Sequence, residues 1–399
     1  MANQLSVGPD VTGTTIVCSD GRISTDGSNG AVELACDDGT IEKGGVNAHT
    51  HIYSGLAPLG MPAPEPEPEN FLQILERVWW RLDRVLDEES LRASARLYVA
   101  EALCAGTTAL VDHQESPNFI DGSLDVLADA CHELGMRAVL CYGATERNGG
   151  LEEARRGLDE CGRFLRSGTS DLVRGCIGLH ASFTVSDETI RAAADYCGRH
   201  DTVLHVHLAE DGADVQDAIR RGYESPLDRI VSLGALVPGS IFAHGVHLTG
   251  TQTERVVDQG CWLVQNPRSN EGNRVGYPSE LKGHGRVALG TDGYPADMRE
   301  EERALWRIGG DHGELPNWIQ ARSAASAMLV SERFGISARP LREGALGDLV
   351  VRRDDEVQHV VVNGQVVVRD GVLQTGDIEA IRAEAQTVAE RLFTRMRAL

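Results

Sequence analysis

Six histidine and carboxylate positions stand at the ends of short apolar runs: His49 and His51, His207 with Glu210, His244, and Asp292. Imidazole nitrogens with one carboxylate form the donor set of a divalent ion that activates water, so these residues point to hydrolysis. His49 and His51 are separated by one residue, which puts both side chains on one side of a strand and within reach of one ion. His205 and His207 share a side for the same reason, so alternation alone does not choose between them. Glu210 decides it. Lying past the strand end, it sets His207 nearest the mouth and can itself serve as a proton shuttle, which leaves His205 as a deeper group that packs or supports a ligand. Asp292 precedes Gly293 at a sharp turn, where a carboxylate can hold the ion and take the proton of the attacking water. His244 is a fourth ligand or a hydrogen-bond partner of the nucleophile, with His247 a weaker substitute.

These positions need elements that deliver them to one place. Apolar strand patterns near 44–49, 107–112, 136–143, 172–180, 202–207, 240–244, 261–266 and 286–292 alternate with helical patterns such as 119–134, 186–199 and 318–335. That alternation predicts a (β/α)8 TIM barrel, somewhat distorted, with the candidate residues on its C-terminal face. The ends read differently. Short strands at 14–18, 31–36, 348–352, 357–362, 365–369 and 371–373, separated by Gly-containing turns, predict a small composite β-sandwich built from both termini. A closing helix follows over 378–399. The expected division is 1–43 for the N-terminal part of the sandwich, 44–337 for the barrel, and 338–399 for the rest of the sandwich and the closing helix. Residues 54–70, rich in proline and acids, form a long loop that reads equally as a lid or as an ordinary solvated loop.

With 399 residues the chain has room for one barrel and a small accessory domain. A formal net charge of -22 excludes a nucleic-acid partner and suits a neutral or cationic small molecule. The nine cysteines are odd in number and lack C-x-x-C spacing, so they read as small core residues of a reducing compartment. No stretch approaches the roughly 20 apolar residues that span a bilayer, and 1–10 shows no leader pattern. The expectation is a cytoplasmic protein without a membrane partner, with homo-oligomerisation left open.

His49-Thr50-His51, His207-Leu208-Ala209-Glu210, Ala243-His244-Gly245-Val246-His247-Leu248 and Gly290-Thr291-Asp292-Gly293 together resemble the amidohydrolase superfamily. The similar branch is that of cytosine, guanine and S-adenosylhomocysteine deaminases and triazine chlorohydrolases. Gln265-Asn266-Pro267-Arg268-Ser269-Asn270, Gly178-Leu179-His180-Ala181-Ser182-Phe183-Thr184 and Asp112-His113 resemble SsnA-type aminohydrolases in particular. The resemblance covers nearly the whole chain and implies the barrel-plus-sandwich fold. It also implies one metal ion held by His49, His51, His207 and Asp292. Lysine content bears on the same point, because two-metal relatives commonly bridge their ions with a carboxylated lysine and none lies between Lys43 and Lys282 here. In relatives the strand-four histidine contacts substrate, which His180 matches. His113, Gln114 and Arg268 are expected on the same face as readers of a planar ring. Of Trp79 and Trp80, one is expected in the core and the other, taken as Trp79, against the ring. Asn266, Ser269 and Asn270 are expected to shape their loop through local backbone hydrogen bonds.

The sequence thus predicts a hydrolase with one divalent ion, zinc or else iron, that deaminates a small N-heterocycle at an amidine- or guanidine-like carbon and releases ammonia. Its proton-transfer residues are Glu210, His244 and Asp292. Two rivals stand beside this reading. One is dechlorination or cyclic amide or imine opening on the same apparatus, and the other is a non-catalytic metal-binding subunit.

Overall fold

The structure is a computed structural model that describes residues 4–25, 30–36 and 38–399, so the first three positions of the N-terminal stretch lie outside it. Eight strands form the barrel. They are β1 (Gly45–Thr50), β2 (Thr107–Asp112), β3 (Arg137–Leu140, resuming at Gly143–Ala144) and β4 (Val173–Gly175, resuming at Ile177–Ala181). β5 (Leu204–Leu208), β6 (Ile241–His244), β7 (Trp262–Gln265) and β8 (Val287–Leu289) complete the ring. Neighbouring strands pair in parallel. Hydrogen bonding runs from β1 to the first half of β4 in one sheet, and from the second half of β3 to β8 in another. The interruptions of β3 and β4 are thus the places where the barrel departs from regularity. A parallel bridge between Thr50 and Asp292 closes it.

Strands covered on both faces need continuous apolar runs, and β2, β5 and β6 are buried along their whole length. Helices such as Glu88–Cys104, Ser123–Leu134, Asp187–His200 and Pro316–Arg333 cover the outside. Asp87 starts the first of these: its carboxylate accepts from the Ser90 N–H while the Ser90 hydroxyl returns to the Asp87 N–H. The helix expected over 119–134 begins later, because Gly122 sits at φ 86° and only a residue without Cβ turns the chain there cheaply.

Two small sheets are built from the segments before and after the barrel. One runs in the order Arg22–Ser24, Ile16–Ser19, Gln4–Val7, Val32–Leu34, and the other in the order Val372–Leu373, Gln365–Arg369, Glu356–Val362, Leu349–Arg353, Thr40–Lys43. Leu5, Val7, Leu34, Ile41, Leu349 and Val361 bury in a shared cluster, so both termini build one core. Gln4–Val7, Arg22–Ser24 and Thr40–Lys43 add to the strands read from sequence; with three or four residues each they carry little periodicity. The join to the barrel is apolar where Val350, Val360, Val362, Val368 and Leu373 bury in the cluster of the barrel core, and it also carries a buried ion pair. Arg137, 1% exposed at the start of β3, makes two hydrogen bonds to the Asp348 carboxylate at 2.6 and 2.9 Å and lies over the Phe334 ring. The closing helix Ile378–Arg397 buries Ile381, Val388, Leu392 and Met396. No helix among the described residues is long and apolar enough to cross a membrane. The cysteines form no disulfide among those residues.

Candidate active site

The site begins at the seam where β1 meets β8. Asn47 clamps Thr291 from both ends of its amide, accepting from the Thr291 N–H at 3.0 Å and donating to the Thr291 hydroxyl at 2.7 Å. Tyr98, from the helix outside, donates to the Tyr294 carbonyl and touches Thr50 and Thr291. Gly290 is needed where the chains press together: a Cβ there would stand 2.7 Å from the His49 carbonyl oxygen and 2.6 Å from the Asn266 amide oxygen. Asp292 then turns at φ 56°, with its N–H on the His49 carbonyl and its own carbonyl accepting from His51 N–H. The seam thereby brings Asp292 over the two histidines of β1.

His49, His51, His207 and Asp292 present ligand atoms that all lie within 4.8 Å of one another. Asp292 Oδ1 is 2.8 Å from His51 Nε2 and 3.3 Å from His49 Nε2. His51 Nδ1 donates to the His113 carbonyl at 2.7 Å, and His207 Nδ1 donates to the His180 carbonyl. Both therefore turn Nε2 inward, and these two nitrogens lie 3.2 Å apart. A tetrahedral ion with nitrogens at about 2.0 Å spaces its ligand atoms by about 3.3 Å, so the residues present fit a divalent ion. His49 Nε2 is also buried without a hydrogen-bond partner. Burial drives the His49 imidazole down to about 3. Burial also opposes charge on His51, but the Asp292 carboxylate outweighs it and raises that imidazole to about 9. The Asp292 carboxyl, though buried, is held well below the usual range by its bonds to His49 and His51.

Glu210 and His244 face this cluster. Ala209 at φ 53° bends the chain after β5 and turns Glu210 across the mouth. Glu210 Oε2 lies 3.6 Å from His244 Nε2, and its Oε1 accepts from the Asn273 amide at 3.4 Å. Burial, then repulsion from Asp292, pushes the Glu210 carboxyl well above its ordinary value. His244 Nδ1 donates to the Asn270 amide oxygen at 2.8 Å, which leaves Nε2 as an acceptor beside Glu210. The Ser269 hydroxyl donates to Asp292 Oδ2. Ser269 and Asn270 thus reach across to the site, against the expectation that they serve only their own loop; the short helix Pro267–Gly272 turns them inward.

The cavity above is walled by Phe71, Leu75, Trp79, Trp80 and Phe183, with His180, Asp83 and Glu115 among its polar lining. A π turn over Leu75–Trp79 inside the helical stretch from Phe71 to Val85 shifts the register. Both tryptophans consequently line the cavity, where the sequence placed only one. His180 lines it too and is oriented by the Thr184 hydroxyl at 2.9 Å. His113 does not; it is fully buried behind the imidazoles, donates from Nε2 to the Leu179 carbonyl, and offers its own carbonyl to His51. Gln114 is likewise inside the fold, bonded to Ser116. Arg268 is drawn outward by Glu300, Glu301 and the Pro295 carbonyl, pairings that sequence spacing gives no means to foresee. No residue of 54–70 lines the cavity, and neither Lys43 nor Lys282 does. Sequence reasoning missed the buried trio in which Arg147 bridges Asp83 and Glu115. Burial, then the charge of Glu115, raises the Asp83 carboxyl to about 8. These three are 64 residues apart at most and in different elements, and no local motif joins them.

The chain is similar to known proteins over most of its length. An 8-oxoguanine deaminase of Pseudomonas aeruginosa is 29% identical, with 87% of this chain and 86% of that protein covered. A 5-methylthioadenosine/S-adenosylhomocysteine deaminase of Haloarcula marismortui is 28% identical, with coverage of 95% and 92%. Among solved structures, a zinc-bound adenosine deaminase of Xanthomonas campestris superposes with a TM-score of 0.81 at 20% identity, over 99% of this chain and 98% of that one. A triazine hydrolase gives 0.81 at 19% identity, over 97% and 99%. The amidohydrolase family model matches residues 40–367. The chain belongs to the amidohydrolase family.

Proposed function

We propose that this protein is a metal-dependent aminohydrolase that removes an amino group from a small N-heterocycle as ammonia. The observation that carries the reading is the arrangement at the mouth: Glu210, His244 and Asp292 bring their polar atoms within 4.8 Å of one another, with Glu210 Oε2 3.6 Å from His244 Nε2, and the carboxyl of Glu210 is pushed up while that of Asp292 is held down. Two carboxyl groups pushed apart in pKa are what a reaction needs when it both removes and supplies a proton at neutral pH. The deaminase names of the relatives support the same reaction type.

We assign His49, His51, His207 and Asp292 as the residues that hold one divalent ion, zinc in the first instance. When bound, such an ion lowers the pKa of a water molecule from about 15.7 toward 7 and so supplies the nucleophile. Asp292 takes the proton that the water gives up, with Ser269 steadying its second oxygen. His244 Nε2 accepts a hydrogen bond from the attacking oxygen and aims it. Glu210 gives its proton to the ring nitrogen next to the carbon attacked, so the carbon–oxygen bond forms without charge building on the ring. The proton held by Asp292 then passes to the leaving nitrogen as the carbon–nitrogen bond breaks, the proton of the newly attached oxygen passes to Glu210 as the carbonyl forms, and ammonia departs with both carboxyl groups restored. His180, Trp79 and Trp80 are assigned to the substrate ring. The division into 1–43, 44–337 and 338–399 and a cytoplasmic location belong to the same reading; buried cysteines without disulfides support the latter.

The test is a panel of aminated purines, pyrimidines and pterins scored for ammonia release. Ammonia from at least one bicyclic or monocyclic amine at a rate abolished by chelation is the expected result. Turnover of such compounds without ammonia would overturn the deaminase reading.

A further inference from the structure

Each imidazole of the ligand set must carry its proton on Nδ1 if Nε2 is to meet an ion. For His51 and His207 the backbone settles this, since their Nδ1 atoms face the carbonyls of His113 and His180 and a carbonyl only accepts. His49 has no such partner. Its Nδ1 lies 2.9 Å from Nε2 of His205, an imidazole nitrogen that donates or accepts according to its own tautomer. The question therefore passes to His205.

The answer lies one step deeper in the barrel. His205 Nδ1 is 3.7 Å from Sγ of Cys141, and that sulfur is 3.3 Å from the Asp112 carbonyl oxygen. The carbonyl only accepts, so the single thiol proton goes to it. The sulfur then has only lone pairs to offer His205, which must carry its proton on Nδ1 and turn a bare Nε2 to His49. His49 in turn must donate from Nδ1. His49, His205 and Cys141 are all fully buried, so water does not compete for any link. We propose that His205 and Cys141 are positioning residues that hold His49 in its metal-binding tautomer, through a one-directional chain of hydrogen bonds anchored on the Asp112 carbonyl. The inference rests on the assignment of His49, His51, His207 and Asp292 as the metal site. A competing use of the same atoms exists, because Cys141, Cys176 and His205 also bring ligand atoms within 4.8 Å of one another. An ion there would take the His205 nitrogen that the chain needs protonated.

The experiment measures zinc stoichiometry and affinity by competition with a chromophoric chelator, and the visible spectrum of the cobalt-substituted protein. His205→Leu removes the acceptor, whereas His205→Gln keeps an amide oxygen for His49 and an N–H for Cys141. Cys141→Ala breaks the lower link and Cys141→Ser preserves it. We expect one ion in the unaltered protein, about 10- to 100-fold weaker zinc binding with an altered cobalt spectrum in His205→Leu, and recovery of most of that loss in His205→Gln. Cys141→Ala should weaken binding by less than His205→Leu, and Cys141→Ser should match the unaltered protein. If His205→Leu fails to fold, the Cys141 pair decides, since it leaves the imidazole in place. Equal affinities for Leu and Gln, or for Ala and Ser, would overturn the inference and return both residues to packing. So would a second zinc lost on Cys176→Ser. A protein that takes up no zinc at all would overturn the metal assignment itself, which separates the two failures.

Discussion

Replacing Glu210 with Gln tests the division of labour at the mouth most directly. The amide has the shape of the carboxyl and keeps an oxygen for the Asn273 amide, but it has no proton to give. Nothing nearby replaces it. His244, 3.6 Å away, uses Nδ1–H on Asn270 and offers only a lone pair from Nε2, and Asp292 is held ionised by the histidines. Without a surrogate the loss should fall in the usual range for a general acid, about 10²- to 10⁴-fold in kcat, or about 2.7 to 5.4 kcal/mol at 1.36 kcal/mol per tenfold. Metal content should not change, because Glu210 lies outside the four-residue ligand cluster. The pH dependence follows from the raised carboxyl. Its working form is protonated, so activity is full below its folded pKa and declines as pH rises through it, and the Gln variant should lack that alkaline limb. Ammonia release, read by a coupled dehydrogenase assay beside elemental analysis, gives both quantities. Parallel loss of metal and turnover would make Glu210 a ligand, and an undiminished rate would remove it from the chemistry.

One ion per chain is expected in protein purified without chelator, and a ratio near two or zero by elemental analysis would refute the single-ion site. His180→Ala should keep the ion and the unfolding midpoint while kcat/KM falls tenfold to a few hundredfold, the equivalent of about 1 to 3 kcal/mol for unpaired polar atoms; unaltered kinetics on the true substrate would return it to a packing role. Asp348→Ala leaves the buried Arg137 guanidinium without its carboxylate and should destabilise the fold by about 3 to 5 kcal/mol in chemical denaturation, far from the cavity and with the metal retained; a cost under 1 kcal/mol would show that the ion pair adds little to the apolar packing that joins sandwich and barrel.

The barrel was legible because its strands are buried on both faces and read as uninterrupted apolar runs, and because polar residues at their ends stand out against that background. His49, His51, His207, Glu210 and Asp292 were found this way, and the structure brings their side chains to one place. What could not be read depends on partners far away in sequence. Arg268 lies in a loop on the expected face, yet its direction is set by Glu300 and Glu301, 32 and 33 residues on. Trp80 enters the cavity because of a π turn, and a one-residue register change of that kind has no signature in apolar spacing. The Asp83–Arg147–Glu115 trio joins three elements, and burial alone makes it consequential. The shortest sandwich strands escaped for a simpler reason: three or four residues are too few for alternation to emerge.

The seam that joins β1 to β8 also dates the birth of the site during synthesis. Asn47 and Thr291, which clamp it, are 244 residues apart in the chain. At roughly 5–20 residues per second a ribosome needs tens of seconds to cover that distance. Until then the nascent chain offers the assigned histidines without the carboxylate that completes the set, first His49 and His51 and later His207. On the proposed ligand set, the complete site for an ion would form only when the last strand closes the ring. An ion that binds the closed form and not the open chain would act as a latch whose strength grows with the free metal concentration above its dissociation constant. Metal starvation should accordingly show itself first as slower or incomplete barrel closure in newly made protein, before mature molecules lose activity.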